Sequence, residues 1–360
     1  MYSNLFKSLA FWIALTFPAI SLSSPNNGAV VLMYHHFGES RFPSTNVTLA
    51  QFDAHLLYLA QNNFQVWPLE KIVKQLESKQ PFPERVIAIT IDDAYRSIYE
   101  HAYPRLKQRG WPFTVFVSTD PVDKKMPAFM SWVQMREMQQ HGATFANHSS
   151  HHHFLIEQAE HENPDDWQQR IRDDLTTAQQ RLQIELGNAP PLFAYPYGEY
   201  NPALQQIIQT LGWTAFGQQS GVVSQYSDRL ALPRYPMAAQ FAELPSFKTK
   251  VLSLPLPVVH SSVADPVIDK ENPPQLQLIL EKNSDIQLEQ LNCFASNQGA
   301  AKVTWLNKEN RAFHISAEKP FNNRRSRYNC TAPSMQPGRY YWHSQLWIRP
   351  TPDNATDNEY

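Results

Sequence analysis

The chain has 360 residues, 42% of them hydrophobic, with 31 basic against 33 acidic side chains and a formal charge of −2. That length allows two domains with real cores, and Lys and Arg scattered along the chain exclude an electrostatic case for nucleic-acid binding. A neutral or weakly charged substrate fits such a surface better.

Lys7 precedes an apolar stretch at 9–22 that ends among the small residues Ser21 and Ser23. About 14 apolar residues fall short of the ~20 needed to span a bilayer. The expectation is a secretory signal peptide over 1–23, an exported, periplasmic or secreted protein, and no stable membrane insertion after cleavage.

From 24 to 260, short apolar runs alternate with amphipathic stretches, the pattern of an α/β barrel or layered sheet. Strands are expected at 30–33, 65–67, 86–91, 113–118, 143–146, 192–195, 214–216 and 230–232. Helices are expected at 52–61, at 97–108 before Gly110, at 131–142 with Ser131 as N-cap, and at 166–186 before Gly187.

Residues 261–274 are rich in Ser, Asp and Pro and read as a linker. Beyond it strands follow one another at 275–280, 291–295, 302–306, 313–317, 327–331 and 340–348, an accessory all-β domain over 275–350 with a disordered tail at 351–360. Cys293, Trp305 and Cys330 follow the order found in immunoglobulin domains, and Tyr328 stands where a tyrosine corner would, so a small immunoglobulin-like sandwich is expected. In an exported chain the only two cysteines, Cys293 and Cys330, are expected to form a disulfide.

Chemistry gathers where strands end. Asp92 and Asp93 close the apolar run Val86-Ile87-Ala88-Ile89-Thr90-Ile91, and two carboxylates at the end of a buried strand are costly unless a metal or a proton transfer uses them. His148 and His152 follow the 143–146 strand at the spacing of one helical turn. One carboxylate and two imidazoles make a three-ligand set with room for water. His153 is an alternative to His152; four-residue spacing, which puts both imidazoles on one helical face, favours His152. Taken singly, Asp92-Asp93 also suits a helix N-cap, and the histidine run a solvated loop. In a parallel barrel, however, such loops converge at one rim, so residues far apart in sequence meet there.

Together with Phe193-Ala194-Tyr195-Pro196-Tyr197-Gly198, the motif Thr90-Ile91-Asp92-Asp93-Ala94-Tyr95 and the histidine pair resemble the polysaccharide deacetylases of carbohydrate esterase family four, with their NodB-homology domain. The resemblance runs from about Val30 to Pro257. It implies a distorted (β/α) barrel in which Asp92 is the catalytic base and Asp93, His148 and His152 hold a divalent metal. Zinc suits those donors first, with cobalt or nickel as substitutes. The nucleophile would be a metal-bound water, with the backbone N–H of Tyr197 facing the oxyanion.

Two positions depart from the family. Ala194 stands where most members have an arginine that orients the base, and Arg234, in Leu232-Pro233-Arg234-Tyr235-Pro236, is the candidate replacement. The late His motif is missing; Val31-Leu32-Met33-Tyr34-His35-His36 resembles that element displaced to the front, as in relatives of permuted motif order that process poly-N-acetylglucosamine. His35 is then the expected general acid, with His36 as alternative. Tyr34, Tyr95 and Trp132 are candidates for flat contacts with a sugar. The activity implied is removal of N-acetyl groups from an extracytoplasmic polysaccharide; an O-acetyl esterase, or a carbohydrate-binding protein without turnover, are the alternatives.

Overall fold

The computed structural model describes residues 28–282 and 285–350. The expected signal peptide and the C-terminal tail lie outside the described residues. Ala29–Tyr34 and Val86–Ile91 are buried along their whole length, because the parallel sheet they belong to is covered on both faces. The sheet runs Tyr235–Pro236, Ala29–Tyr34, Val86–Ile91, Phe113–Val117, Ala143–Asn147, Leu192–Ala194, Thr214–Phe216, with Gln65–Val66 beside the start of Val86–Ile91. Every pairing in it is parallel.

Alternation sorts the residues. Val31, Ala88, Phe116, Ala146, Ala194, Phe216 and Leu232 share one buried cluster, while Val30, Leu32, Ile87, Ile89 and Val115 pack in another with the helices Leu49–Gln61 and Trp132–Gln139. Thr90 and Asp92 continue the parity of Ala88, and His148 that of Ala146, so the chemistry-bearing side chains leave from one face of the sheet.

Several expected elements shift at their ends, the helix at 52–61 beginning already at Leu49, and two of these shifts have a clear physical reason. The strand at 230–232 reduces to a bridge of Leu232 with Phe216, and the ladder resumes at Tyr235–Pro236 against Leu32 and Met33. Pro233, lacking an N–H, cannot continue the first ladder. The stretch 229–236 therefore bonds first to one edge of the sheet, through Leu232 N to Ala215 O at 2.8 Å, and then to the other. The helix at 97–108 begins as a π-helical turn, Ile98–Ala102, and becomes α-helical over Tyr103–Arg109, because Pro104 donates no hydrogen bond to the preceding turn. Ser131 does cap its helix, accepting from Gln134 N, but the helix ends at Gln139.

The C-terminal region is all-β. Leu254–Pro255, Tyr340–Ile348, Arg325–Pro333, Asn292–Ala295 and Gly299–Ala300 form one sheet; Val258–Ser261, Leu276–Leu280, Ala312–Ser316 and Lys302–Asn307 form the other. Leu278, Phe313, Tyr328 and Trp347 from the two sheets meet in one core. Cys293 and Cys330 are disulfide-bonded, yet they face each other on neighbouring strands of the same sheet, whereas the immunoglobulin bridge joins facing sheets. The Tyr328 hydroxyl donates to Pro274 O and accepts from Ala317 N, both at 2.8 Å, which anchors the segment entering the region.

This region is docked firmly on the parallel sheet. Leu346 and Ile348 share a core with Leu155, Trp167, Phe193 and Tyr195, and Trp342 meets the Tyr235 ring edge-on at 5.4 Å. No helix among the described residues is long and apolar enough to cross a membrane.

Candidate active site

Asp92 and Asp93 sit just past Ile91, where the chain turns sharply: Asp93 and Ala94 have φ of 73° and 61°. The turn separates the two carboxylates. Asp92 is fully buried and receives both prongs of Arg234, Nη1 to Oδ1 at 2.7 Å and Nη2 to Oδ2 at 2.8 Å. Arg234 is itself fully buried, and its Nε donates to Gly217 O at 2.9 Å while Nη1 also reaches Thr90 Oγ1 at 3.3 Å. Burial alone would raise the Asp92 carboxyl; the charge and hydrogen bonds of Arg234, with His148 nearby, outweigh it and hold Asp92 below the usual range. Ala194 stands where the resemblance places an arginine, and Arg234 reaches Asp92 from the segment just before Tyr235–Pro236. His35 Nε2 lies 3.9 Å from Asp92 Oδ2, and burial pushes its imidazole down.

Asp93 Oδ1 lies 3.2 Å from His148 Nε2 and 3.2 Å from His152 Nε2. His148 Nδ1 donates to Ala194 O at 2.7 Å, so in the neutral imidazole the lone pair is on Nε2 and faces Asp93. Asp93 Oδ1 is buried without a hydrogen-bond partner, and one ligand atom from each of Asp93, His148 and His152 lies within 4.8 Å of the others. Converging lone pairs on one oxygen and two nitrogens fit a divalent cation. The carbonyl behind His148 fixes its tautomer as an outer partner of a metal ligand does. Burial would raise Asp93, but His152 and the contacts from His148 and His152 hold it well below the usual carboxylate range.

The histidine spacing works differently from the helical turn expected. Residues 148–152 are a loop, with Ser149 and His152 at φ of 68° and 58°, fastened by Ser149 N to Asn147 Oδ1 and His152 N to Ser149 Oγ. His153 is exposed and stacks on His151 outside the three-residue set; His151 Nδ1 pairs with Asp174 at 2.5 Å. His36 lies between the rings of Phe42 and Tyr95, its Nδ1 on Thr45 Oγ1, and burial pushes it down to about 4.

A groove of about 800 Å³ opens beside Asp93 and His152, walled by Tyr95, Met126, Phe129, Phe154 and Tyr197. Of the three aromatic residues expected to face a sugar, only Tyr95 lines it. Tyr34 is buried with its hydroxyl on His55 Nδ1, and Trp132 is committed to Asp123 through Nε1 at 2.8 Å. Tyr197 has φ 58° and ψ 1°, a left-handed backbone beside His152, whose ring it meets edge-on at 4.6 Å. Phe129, Met126 and Phe154 carried no sequence signal, since an apolar residue after a strand reads as core.

Residues 79–216 match the family model described as polysaccharide deacetylase. The poly-beta-1,6-N-acetyl-D-glucosamine N-deacetylase of Escherichia coli K12 is 24% identical over 331 residues, which cover 78% of this chain and 48% of that protein. The chain thus spans about half the length of that relative. Among solved structures, Streptococcus pyogenes deacetylase PplD in complex with acetate aligns with a TM-score of 0.54 at 26% identity, over 60% of this chain and 95% of that one. IcaB from Ammonifex degensii aligns with a TM-score of 0.53 at 26% identity, over 61% and 94% respectively. Fold and rim together define an α/β domain of the deacetylase class. Residues 79–216 of the chain thus match a polysaccharide deacetylase domain, and the fold around them is similar to that of these deacetylases.

Proposed function

We propose that this protein is an exported hydrolase that removes N-acetyl groups from a polysaccharide of N-acetylglucosamine. The observation that carries the reading is the meeting of Asp93, His148 and His152 at the foot of an apolar-walled groove, next to a second carboxylate, Asp92, held ionised by a buried arginine. The names of the relatives, one a poly-beta-1,6-N-acetyl-D-glucosamine N-deacetylase and one solved with acetate, support the substrate class and acetate as the released product.

Asp93, His148 and His152 would hold the cation, zinc by preference. When bound, it would lower the pKa of a water and polarise the acetyl carbonyl. Asp92 does not share that ligand set; its ionised carboxylate takes the proton from the attacking water, with Arg234 fixing its plane. His35, whose Nε2 lies 3.9 Å from the Asp92 oxygen Oδ2, delivers the proton to the departing amine. Tyr197, in its left-handed turn, offers its backbone N–H to the oxyanion. Phe154, Phe129 and Tyr95 exclude water and give the sugar flat faces to lie on.

The test is acetate release from β-1,6- and β-1,4-linked N-acetylglucosamine oligomers by zinc-loaded wild type and by Asp92→Asn. Release by the wild type, abolished in the variant with zinc still bound, supports the reading. A metal-loaded wild type that frees no acetate from any acetylated glycan would overturn it in favour of a carbohydrate-binding protein.

A further inference from the structure

The segment that enters the Arg325–Pro333 strand reaches back to the rim of the parallel sheet. Arg324 holds Glu199 with two prongs, Nε to Oε1 and Nη2 to Oε2, each at 2.7 Å, and its Nη1 lies 2.5 Å from Glu157 Oε1. Arg325 Nη1 adds a contact to Glu199 Oε1 at 3.2 Å. Glu199 is only 1% exposed, so this pairing is what lets its carboxylate sit there. The Arg324 guanidinium lies over the Phe154 ring at 3.8 Å from its centre; Phe154 stacks on Tyr197 at 4.1 Å, and Tyr197 abuts His152.

Glu199 comes two residues after Tyr197, and Phe154 two residues after His152. One arginine thus grips the loop after each of two strands at the point where each carries a side chain of the site. Both Tyr197 and His152 have left-handed φ, a conformation that a non-glycine residue keeps only where its surroundings impose it. We propose that Arg324, assisted by Arg325, is a positioning residue of the active site: acting through Glu199 and Phe154, it sets the backbone of Tyr197 and the ring of His152, so the C-terminal β region completes the catalytic centre. This rests on the roles proposed above for His152 and Tyr197.

Two full-length variants test it. Arg324→Lys keeps the charge and loses the planar fork; Arg324→Met with Glu199→Gln removes both buried charges together, so that no buried carboxylate is left unpaired, while Glu157, a third exposed, turns to solvent. Melting curves establish that each is folded. The expected result is a kcat lower by about 10- to 100-fold with KM nearly unchanged, a zinc affinity lower by a similar factor in chelator competition, and faster amide exchange at 151–158 and 195–201. Arg324→Lys, the conservative change, should fall between wild type and the double variant. Folded variants with wild-type kcat, zinc affinity and exchange overturn the proposal, as does a loss that only tracks the unfolded fraction. If the wild type itself frees no acetate, the functional reading fails, and zinc affinity and amide exchange alone decide for or against the clamp.

Discussion

Arg234 and Asp92, 142 positions apart in sequence, form a two-pronged ion pair in which neither side chain is exposed. A buried pair of this kind is a weak source of net stability but a severe liability when halved. Arg234→Met should lower unfolding free energy by about 3–5 kcal/mol, because Asp92 is left as an uncompensated buried charge. Adding Asp92→Asn to that variant should restore more than half of the loss. Urea unfolding of the wild type, both single variants and the double variant closes the cycle; strictly additive losses would show that the two groups do not depend on each other.

Asp92→Asn on its own removes the proton acceptor and leaves the buried Arg234 half-paired, so its turnover is read per folded molecule. Turnover should drop by about 10²- to 10⁴-fold, the usual worth of a positioned general base. Zinc content should not change, since Asp92 lies outside the three-ligand set. His35→Ala should reduce turnover as well, and more for acetamides than for phenyl acetate, whose leaving group needs no proton. Equal losses on both substrates would remove His35 from the proton-donor role.

The part of this arrangement legible in the sequence is the part encoded locally. A six-residue apolar run ending in two acids marks a two-face-buried strand and its rim, and strict alternation along Arg325–Pro333 marks a half-buried one. The convergence of His148 and His152 was legible, its mechanism was not, because left-handed φ at Ser149 and His152 is imposed by side-chain bonds to Ser149 and Asn147 and leaves no trace in residue type. Tyr34 and Trp132 have the composition of sugar-binding residues and are spent elsewhere. Cys293 and Cys330 had only each other as partners, but whether they cross between sheets depends on which strands lie side by side. The Arg324–Glu199 pair spans 125 positions and could not be read without the fold.

Metal binding to the folded state alone raises apparent stability by mass action, about 4 kcal/mol when free zinc is 1,000 times its dissociation constant. Thermal melts with zinc and with chelator should therefore differ by several degrees in the wild type. His152→Ala should lose most of that difference; His153→Ala, whose ring stacks on His151 outside the set, should keep it. The reverse outcome would move the third ligand to His153 and would require the loop after Asn147 to rearrange.

His55 makes acid sensitivity a property of the core. Its Nε2 donates to Ala242 O at 2.7 Å, its Nδ1 accepts from the Tyr34 hydroxyl at 3.1 Å, and its ring stacks on Phe247 at 3.9 Å. That bonding pattern needs the neutral imidazole, and burial pushes the group down to about 4 despite the Ala242 bond. Between the ordinary histidine pKa near 6.5 and 4, the unfolded chain binds a proton that the native state refuses. Stability from His55 is thus complete above pH ~6.5 and drains away as pH falls toward 4, by on the order of 3 kcal/mol. His55→Gln, which still offers Tyr34 an acceptor, should show a shallower decline over the same window. His36, which titrates low in both proteins, cancels in the comparison. Parallel stability curves from pH 7 to 4 would mean that His55 takes up its proton without giving up the Tyr34 bond.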